Sequence, residues 1–222
     1  MVILNLKNYP EATTNNLTAV LSEIESAARA ETKIVDLVAV VPAIYDLHLA
    51  VEKAGNLRIF SPHVDAKTQG STTGWVPAQA LLSLNINYSV LNHSEHRFGT
   101  WEELEYTIKQ VQEVGLQVVV CCENLEEARK LLALNPFAIA YEDKDLIGSG
   151  QSITTGRPEE VKKFIELAKG KTKVIIGAGI STGEDVKQGL EFGAEGFILA
   201  SAFVKAENKK DKILELAMPF LN

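Results

Sequence analysis

The feature that most constrains this chain is a repeat of eight short apolar runs, each followed by a segment with helical periodicity, at intervals of roughly 28 residues. The apolar runs are continuous rather than alternating, which is typical of strands buried on both faces of a parallel sheet. Strands of this kind that alternate with helices predict an α/β fold. Eight units favour a closed (β/α)8 barrel, formed as a single domain over residues 1–222 and short for that fold, with a doubly wound open sheet as the structural alternative.

The repeat gives each element an approximate position. The predicted strands are 2–6, 34–41, 57–60, 88–91, 117–121, 137–141, 174–176 and 196–199. The predicted helices run from Thr13 or Thr14 to Ala30 and over 44–53, 77–84, 100–114, 125–134, 158–168, 184–192 and 209–218. Thr100 and Glu103 have the spacing of a capping box, which marks the start of the helix after the fourth strand.

Composition narrows the class of protein. The chain is 46% hydrophobic and 23% charged, which is ordinary for a globular domain. Its apolar runs are shorter than the roughly 18 residues of a membrane helix, and its first residues lack the basic region and long apolar core of a signal peptide. The adjacent Cys121 and Cys122 are best interpreted as buried reduced thiols, so we expect a cytoplasmic protein. The net charge of −7 argues against nucleic acid as the main partner.

Polar side chains follow several predicted strands at the point where each strand ends. Asn5 and Lys7 end the first strand, His93 follows the fourth, and Glu142 follows the sixth. In a barrel of parallel strands, active sites are built on the face where the strands end. We therefore predict that these side chains meet at one mouth of the barrel.

Each of these residues also suggests a chemical role. Glu142 stands at the end of a buried run and before a loop with Gly148 and Gly150. This is the layout of a general base under a closing loop. Taken without the rest of the chain, it also fits a surface acid before a turn. Lys7, if it lies beside that carboxylate, would neutralise a bound anion and a developing oxyanion. The alternative is that Lys7 is a solvated charge at the end of a strand. His93 at the start of a short helix would stay neutral and move protons between two oxygens, or be structural.

The same face carries signs of an anion site but not of a metal site. His93 and His96 lack a third ligand at suitable spacing, so we predict no metal. The segment 177–183 and the pair Ala200 and Ser201 follow the last two strands, where small residues let backbone amides face a phosphate. The glycine spacing does not fit a dinucleotide-binding fingerprint, so a nicotinamide cofactor is not expected.

Taken together, these segments resemble the triosephosphate isomerase family, in its short archaeal-type form, over essentially the whole chain. The resemblance is carried by the segments 5–7, 63–66, 69–74, 92–97, 141–142, 146–150, 177–183 and 199–201. It implies a TIM-barrel fold and the interconversion of dihydroxyacetone phosphate and glyceraldehyde 3-phosphate. It also implies that no metal or organic cofactor is required.

The resemblance assigns a role to each catalytic candidate. Glu142 would be the base that takes a proton from one carbon and returns it to the other, and neutral His93 would polarise the carbonyl group. Lys7 would stabilise the charge of the enediolate. Asn5 would orient Lys7, and Glu95 would be an acid beside Lys7 that does not contact the substrate.

The resemblance also predicts phosphate contacts and subunit contacts. The phosphate would be held by the backbone amides around a set of small or apolar residues, namely Ile147, Gly148, Gly179, Ala200 and Ser201. The loop 65–75 would insert into a neighbouring subunit, with Thr73 near the catalytic face of that subunit. We therefore expect a homodimer or homotetramer rather than a monomer with a mobile surface loop.

The chain departs from the family pattern directly after Glu142. The family has proline there, whereas this chain has Asp143 and Lys144. We hypothesise a functional isomerase with a looser loop hinge and reduced turnover, in which Lys144 offsets the charge of Asp143. Two other functions stay open: a different phosphate-binding barrel enzyme, such as a sugar-phosphate isomerase or aldolase, and a non-catalytic barrel that only binds phosphate compounds.

Overall fold

The computed structural model describes residues 1–147 and 150–221, and within them eight parallel strands alternate with helices around a barrel. The strands are β1 (Val2–Asn5), β2 (Val38–Val41), β3 (Arg58–Ile59), β4 (Tyr88–Leu91), β5 (Gln117–Cys122), β6 (Ala138–Tyr141), β7 (Lys173–Ile176) and β8 (Gly196–Leu199). The α-helices are α1 (Leu17–Ala30), α2 (Ile34–Leu37), α3 (Leu47–Lys53), α4 (Ala78–Ser83), α5 (Trp101–Glu113), α6 (Leu125–Leu132), α7 (Ile153–Gly156), α8 (Pro158–Ala168), α9 (Gly183–Phe192), α10 (Ser201–Val204) and α11 (Lys209–Ala217). Short 3-10 helices add Pro10–Ala12, Thr14–Asn16, Ile44–Asp46 and Met218–Phe220.

The strand order shows a barrel rather than an open sheet. Neighbouring strands run in the order β3-β2-β1-β8-β7-β6-β5-β4, and the paired strands are parallel. The ring is completed just past β3, where the N–H of Ser61 donates to the carbonyl of Tyr88 over 2.9 Å. The N–H of Val90 then donates to the carbonyl of Ser61 over 2.8 Å. These bonds join the two ends of the sheet, so the predicted (β/α)8 barrel is confirmed.

Both faces of the sheet are buried, which explains the continuous apolar runs. In β1, Ile3 belongs to the cluster inside the barrel, whereas Val2 and Leu4 pack outward against the helices. Side chains alternate between the two sides of a strand, so a strand covered on both sides needs apolar residues throughout. Cys121 and Cys122 follow the same alternation, and both are buried free thiols, as predicted.

Some predicted boundaries were wrong. The run 34–41 divides into the helical turn α2 and the short strand β2, because the N–H of Ile34 donates to the carbonyl of Glu31 and continues the turn after α1. A run rich in β-branched residues favours a strand locally, but here packing against the helical layer decides.

The capping box of α5 is confirmed, with both Thr100–Glu103 hydrogen bonds present. None of the helices in the described ranges has the length and apolar character needed to cross a membrane.

Candidate active site

A cavity of about 470 Å³ lies at the mouth of the barrel where the strands end. It brings together predicted residues from distant parts of the chain: Asn5, Lys7, His93, Glu95, Glu142, Ile147, Gly179, Ala200 and Ser201. The predicted Gly148 lies outside the described residues. Thr73 is exposed on a loop and does not line this cavity. The prediction that the strand-end polar residues share one mouth is therefore confirmed by their placement.

Glu142 is held at the end of β6 with its carboxylate in the cavity wall. Its N–H donates to the carbonyl of Cys122 over 3.0 Å, which continues the ladder between β5 and β6. The residue is only 5% exposed, and within residues 1–147 and 150–221 its Oε2 has no hydrogen-bond partner. A buried carboxylate oxygen without a partner is costly, so an oxygen that faces a cavity in this state is suited to accept a proton from a ligand.

Gly177 and Cys121 define the space that the carboxylate occupies. A Cβ atom on Gly177 would lie 2.7 Å from Oε1 of Glu142 and 2.9 Å from its Cγ, closer than non-bonded atoms allow. Glycine is therefore required here for close packing rather than for a turn. Burial, and next the charge of the Glu142 carboxylate, hold the pKa of the Cys121 thiol well above its usual range, so this cysteine stays protonated.

His93 lies beside Glu142 in the cavity wall. Its Nε2 lies 3.6 Å from Oε2 of Glu142, while its Nδ1 accepts the backbone N–H of Glu95 over 3.2 Å. A nitrogen that accepts a hydrogen bond carries no proton, so the ring proton lies on Nε2 and points into the cavity. Residues 93–96 form a turn closed by the N–H of His96 rather than the predicted short helix, so the ring accepts the N–H of Glu95 and does not lie at a helix end.

Lys7 reaches the cavity from a strained backbone position. Its φ is +50°, a value that residues other than glycine rarely adopt. The side chain of Asn5 stabilises this conformation, because its Oδ1 accepts the N–H of Lys7 over 3.1 Å. The ammonium group of Lys7 donates to Oε1 of Glu95 over 2.7 Å, and the Lys7 side chain is 16% exposed. Asn5 therefore contacts the backbone of Lys7 and Glu95 its ammonium group, and the roles expected of both residues stay predictions.

Another part of the cavity wall is formed by the turn after β7. Gly179 has a φ of +69°, and a Cβ atom there would lie 1.9 Å from the carbonyl oxygen of Gln151, so only glycine fits. Asp185 shapes the end of the turn by accepting the N–H groups of Ser181 and Thr182 over 3.0 and 2.9 Å. Burial opposes the charge of Asp185, but these hydrogen bonds outweigh it and lower the pKa of its carboxyl.

Two polar residues of the cavity wall, Lys205 and Tyr9, were missed from the sequence. Lys205 and Tyr9 line the wall next to Ser201, and the Lys205 ammonium lies 5.5 Å from the centre of the Tyr9 ring. Lys205 follows Ser201 by four residues, the spacing that places two side chains on one face of a helix. That spacing was the available signal, because α10 begins at Ser201. Lys205 thus gives the cavity a second cation beside Lys7.

A second hollow of about 610 Å³ adjoins the first and shares Lys7 and His93 with it. Its outer wall includes Trp75, which is 51% exposed at the end of the loop 65–75. The base of this loop is closed by Asp65, which accepts the N–H of Val76 over 2.7 Å and donates its own N–H to the carbonyl of Val76 over 2.9 Å. The loop that carries Thr73 therefore begins and ends at a hydrogen-bonded base beside the main cavity.

The described ranges, 1–147 and 150–221, do not contain three His, Cys, Asp or Glu side chains arranged to hold a metal ion. His96, one half of the pair considered above, contacts His63 with the rings tilted and their centres 4.3 Å apart, and it does not line the main cavity. The expectation of a reaction without a metal stays a prediction.

Comparison with known proteins identifies relatives across the whole length. A profile of the triosephosphate isomerase family matches residues 1–217. The chain is 37% identical to the triosephosphate isomerase of Thermoplasma volcanium, over 92% of this chain and 93% of the relative. It is 35% identical to that of Methanocaldococcus jannaschii, over 97% and 98%, and 34% identical to that of Archaeoglobus fulgidus, over 97% and 96%. The resemblance seen in the sequence is therefore confirmed.

Proposed function

The chain belongs to the triosephosphate isomerase family and is an isomerase, and on that premise we propose that it interconverts dihydroxyacetone phosphate and D-glyceraldehyde 3-phosphate through an enediolate. The observation that carries this proposal is the facing pair of Glu142 and His93, whose Oε2 and Nε2 atoms lie 3.6 Å apart at the cavity wall. One group is an available proton acceptor and the other a hydrogen-bond donor. Proton transfer next to a carbonyl group needs both.

In this mechanism Glu142 takes a proton from C1 of dihydroxyacetone phosphate as the C1–C2 double bond forms. The electron pair of the carbonyl group moves to O2, where the Nε2–H of His93 donates. His93 gives its proton to O2 and takes the hydroxyl proton from O1. The carbonyl group then forms at C1 while Glu142 returns its proton to C2, so atoms and charge balance.

The negative charge on the enediolate oxygens calls for a nearby cation. Lys7 supplies it, since its ammonium lines the same cavity and is already oriented by Glu95 and Asn5. A fixed charge of this kind needs no rearrangement when the transition state forms, which is why preorganised groups stabilise it well. Glu95 balances the Lys7 charge when the site is empty.

The phosphate group of the substrate is assigned to the wall formed by Gly179, Ala200 and Ser201, with Ile147 and Gly148 from the loop after Glu142. Their small size lets backbone amides approach an anion. Closure of that loop would shield the enediolate from water, which otherwise promotes loss of phosphate. No organic cofactor is assigned to this reaction.

We propose that the active protein is a homodimer or homotetramer in the cytoplasm. There it would serve glycolysis and gluconeogenesis. The loop 65–75 would pack into the hollow beside the active site of a second copy, with Thr73 near the Lys7 and His93 that line both hollows. The fixed base at Asp65 supports this assignment, because a preorganised loop loses less entropy on docking.

The test is a coupled assay for conversion of glyceraldehyde 3-phosphate to dihydroxyacetone phosphate, with Glu142→Gln beside the wild type. We expect turnover to fall by roughly 100-fold to 10,000-fold in the variant, the usual loss when a general base is removed. A folded wild type that binds phosphoglycolate but does not turn over would support the non-catalytic phosphate-binding barrel instead. Turnover of another sugar phosphate alone would support a different barrel enzyme.

A further inference from the structure

The two chain neighbours of Glu142 are both bound to the first turn of α8. The hydroxyl of Tyr141 donates to Oε2 of Glu160 over 3.4 Å, and Nε of Arg157 donates to Oδ2 of Asp143 over 3.0 Å. Nε of Arg157 also lies 3.8 Å from Oε2 of Glu160, so the two contacts belong to one network. The residues before and after the proposed base are thus attached to a single helix.

The direction of these side chains separates them from the cavity. Side chains alternate along an extended chain, so Tyr141 and Asp143 point to one side when Glu142 points to the other. The Tyr141 ring stacks on Phe164 of α8, with ring centres 5.1 Å apart, and does not line the cavity. The contacts of Tyr141 and Asp143 with α8 therefore lie outside the cavity.

Asp143 uses its two carboxylate oxygens for different tasks. Its Oδ1 accepts the N–H of Asp145 over 2.9 Å, and its backbone carbonyl accepts the N–H of Leu146 over 3.1 Å, so the chain turns directly after the base. Its Oδ2 accepts from Arg157, fourteen residues further along the chain. The ion pair therefore joins both ends of the segment 144–156, which contributes Ile147 and Gly150 to the cavity.

We propose that Asp143 and Arg157 are positioning residues for the isomerisation, which together form a clasp that holds Glu142 in place to act as base. The Asp143 carboxylate has Arg157 as its ion-pair partner, and the expectation that Lys144 also offsets its charge stays a prediction. The clasp restrains the backbone at the position where the sequence suggested a looser hinge. This inference rests on the proposed function, because it concerns the base of that reaction.

A stabilising role and a positioning role predict different results. The Arg157 side chain is 46% exposed, and ion pairs this open to water contribute little to the stability of a fold. A catalytic group displaced by about 1 Å, in contrast, lowers turnover by as much as 100-fold. Loss of the clasp should therefore lower kcat while leaving the melting temperature almost unchanged.

The experiment compares Asp143→Asn and Arg157→Gln with the wild type. Asn at 143 keeps an oxygen for the N–H of Asp145 but removes the charge. The control is Lys162→Met, because Lys162 also pairs with an acid on α8, over 2.9 Å to Glu159, and is similarly exposed at 49%. We expect kcat to fall roughly tenfold to 100-fold in both clasp variants, with KM and melting temperature near the wild-type values. Lys162→Met should behave as the wild type.

Two further variants separate positioning from a general effect of charge. The double variant Asp143→Asn, Arg157→Gln should lose no more activity than either single variant, because both remove one shared contact. Arg157→Lys should recover part of the activity. Unchanged kcat in Arg157→Gln, or losses that multiply in the double variant, would overturn the clasp.

A second measurement does not depend on turnover. Hydrogen exchange at the amides of Asp145 and Leu146, which donate to Asp143, should be faster in Arg157→Gln than in the wild type or in Lys162→Met. Equal exchange in all three proteins would overturn the clasp. An inactive wild type with the expected exchange pattern would instead overturn the proposed function and leave the clasp as a structural feature.

Discussion

The backbone N–H of Glu95 donates to Nδ1 of His93 over 3.2 Å, and the other ring nitrogen, Nε2, lies 3.6 Å from the Glu142 carboxylate. The first contact determines which nitrogen carries the ring proton. Because Nδ1 accepts a hydrogen bond, the proton lies on Nε2, the nitrogen next to Glu142. The catalytic candidates are thus held as donor and acceptor before any substrate enters. The side chains of His93 and Glu142 are oriented when the protein folds, so the reaction does not have to supply the free energy of orienting them.

This arrangement predicts the tautomer of His93. Nitrogen-15 NMR of the imidazole should show the tautomer that carries its proton on Nε2. In His93→Gln, kcat should fall by roughly 100-fold, because the amide donates a hydrogen bond but cannot exchange protons with two oxygens. A tautomer with the proton on Nδ1 would contradict the proposed role.

Gly177→Ala should lower kcat without unfolding the protein. The added methyl group would occupy space that the Glu142 side chain fills, so the carboxylate must shift, and a shift of about 1 Å costs as much as 100-fold in turnover. Gly99→Ala is the matched control, since its methyl group would meet only the end of the flexible Glu103 side chain, at 3.2 Å. Equal activity of both variants would show that the packing at Gly177 does not position the base.

Lys205→Met should weaken substrate binding rather than slow the chemical step. The Lys205 ammonium lines the cavity near Ser201, so it is placed to attract a phosphate group, and a hydrogen bond to a charged group contributes about 1.5–3 kcal/mol. We expect KM to rise roughly tenfold with kcat unchanged. The rise in KM should be smaller at high salt, because salt screens the attraction between Lys205 and the phosphate group. Lys187→Met, an exposed lysine outside the cavity, provides the comparison. A fall in kcat with constant KM would assign Lys205 to the transition state instead.

Acid should destabilise the protein in part through His63. Burial lowers the pKa of this histidine, although the hydrogen bond from its Nε2 to Asp65 opposes the shift. Because the folded state holds the proton less tightly than the unfolded state, stability is fully present above about pH 6.5 and is lost as the pH falls through the lowered pKa. Urea unfolding at pH 7.5 and pH 5 should show a smaller loss for His63→Asn than for the wild type. The exposed His48→Asn should match the wild type; if both variants lost stability equally, the effect would not belong to His63.

The sequence predicted the regular elements better than the short irregular ones. The barrel, β4, α8 and the position of Glu142 were correct because buried strands and amphipathic helices have clear periodicities. The turns α2, α7 and α10 have four residues each, too few to show a period, and Lys205 was missed together with α10. The partner of Asp143 could not be predicted either, since pairing over fourteen residues depends on how α8 packs rather than on local sequence.

The residue that tests the account most directly is Glu142, through the fate of the hydrogen on carbon. We would convert glyceraldehyde 3-phosphate in deuterated water and measure deuterium at C1 of the dihydroxyacetone phosphate by NMR. Proton transfer by a carboxylate that exchanges with solvent predicts that part of the product carries deuterium at C1, formed far more slowly by Glu142→Gln. Rapid turnover without deuterium in the product, or turnover of Glu142→Gln at the wild-type rate, would contradict the enediolate mechanism and the role of Glu142 as its base.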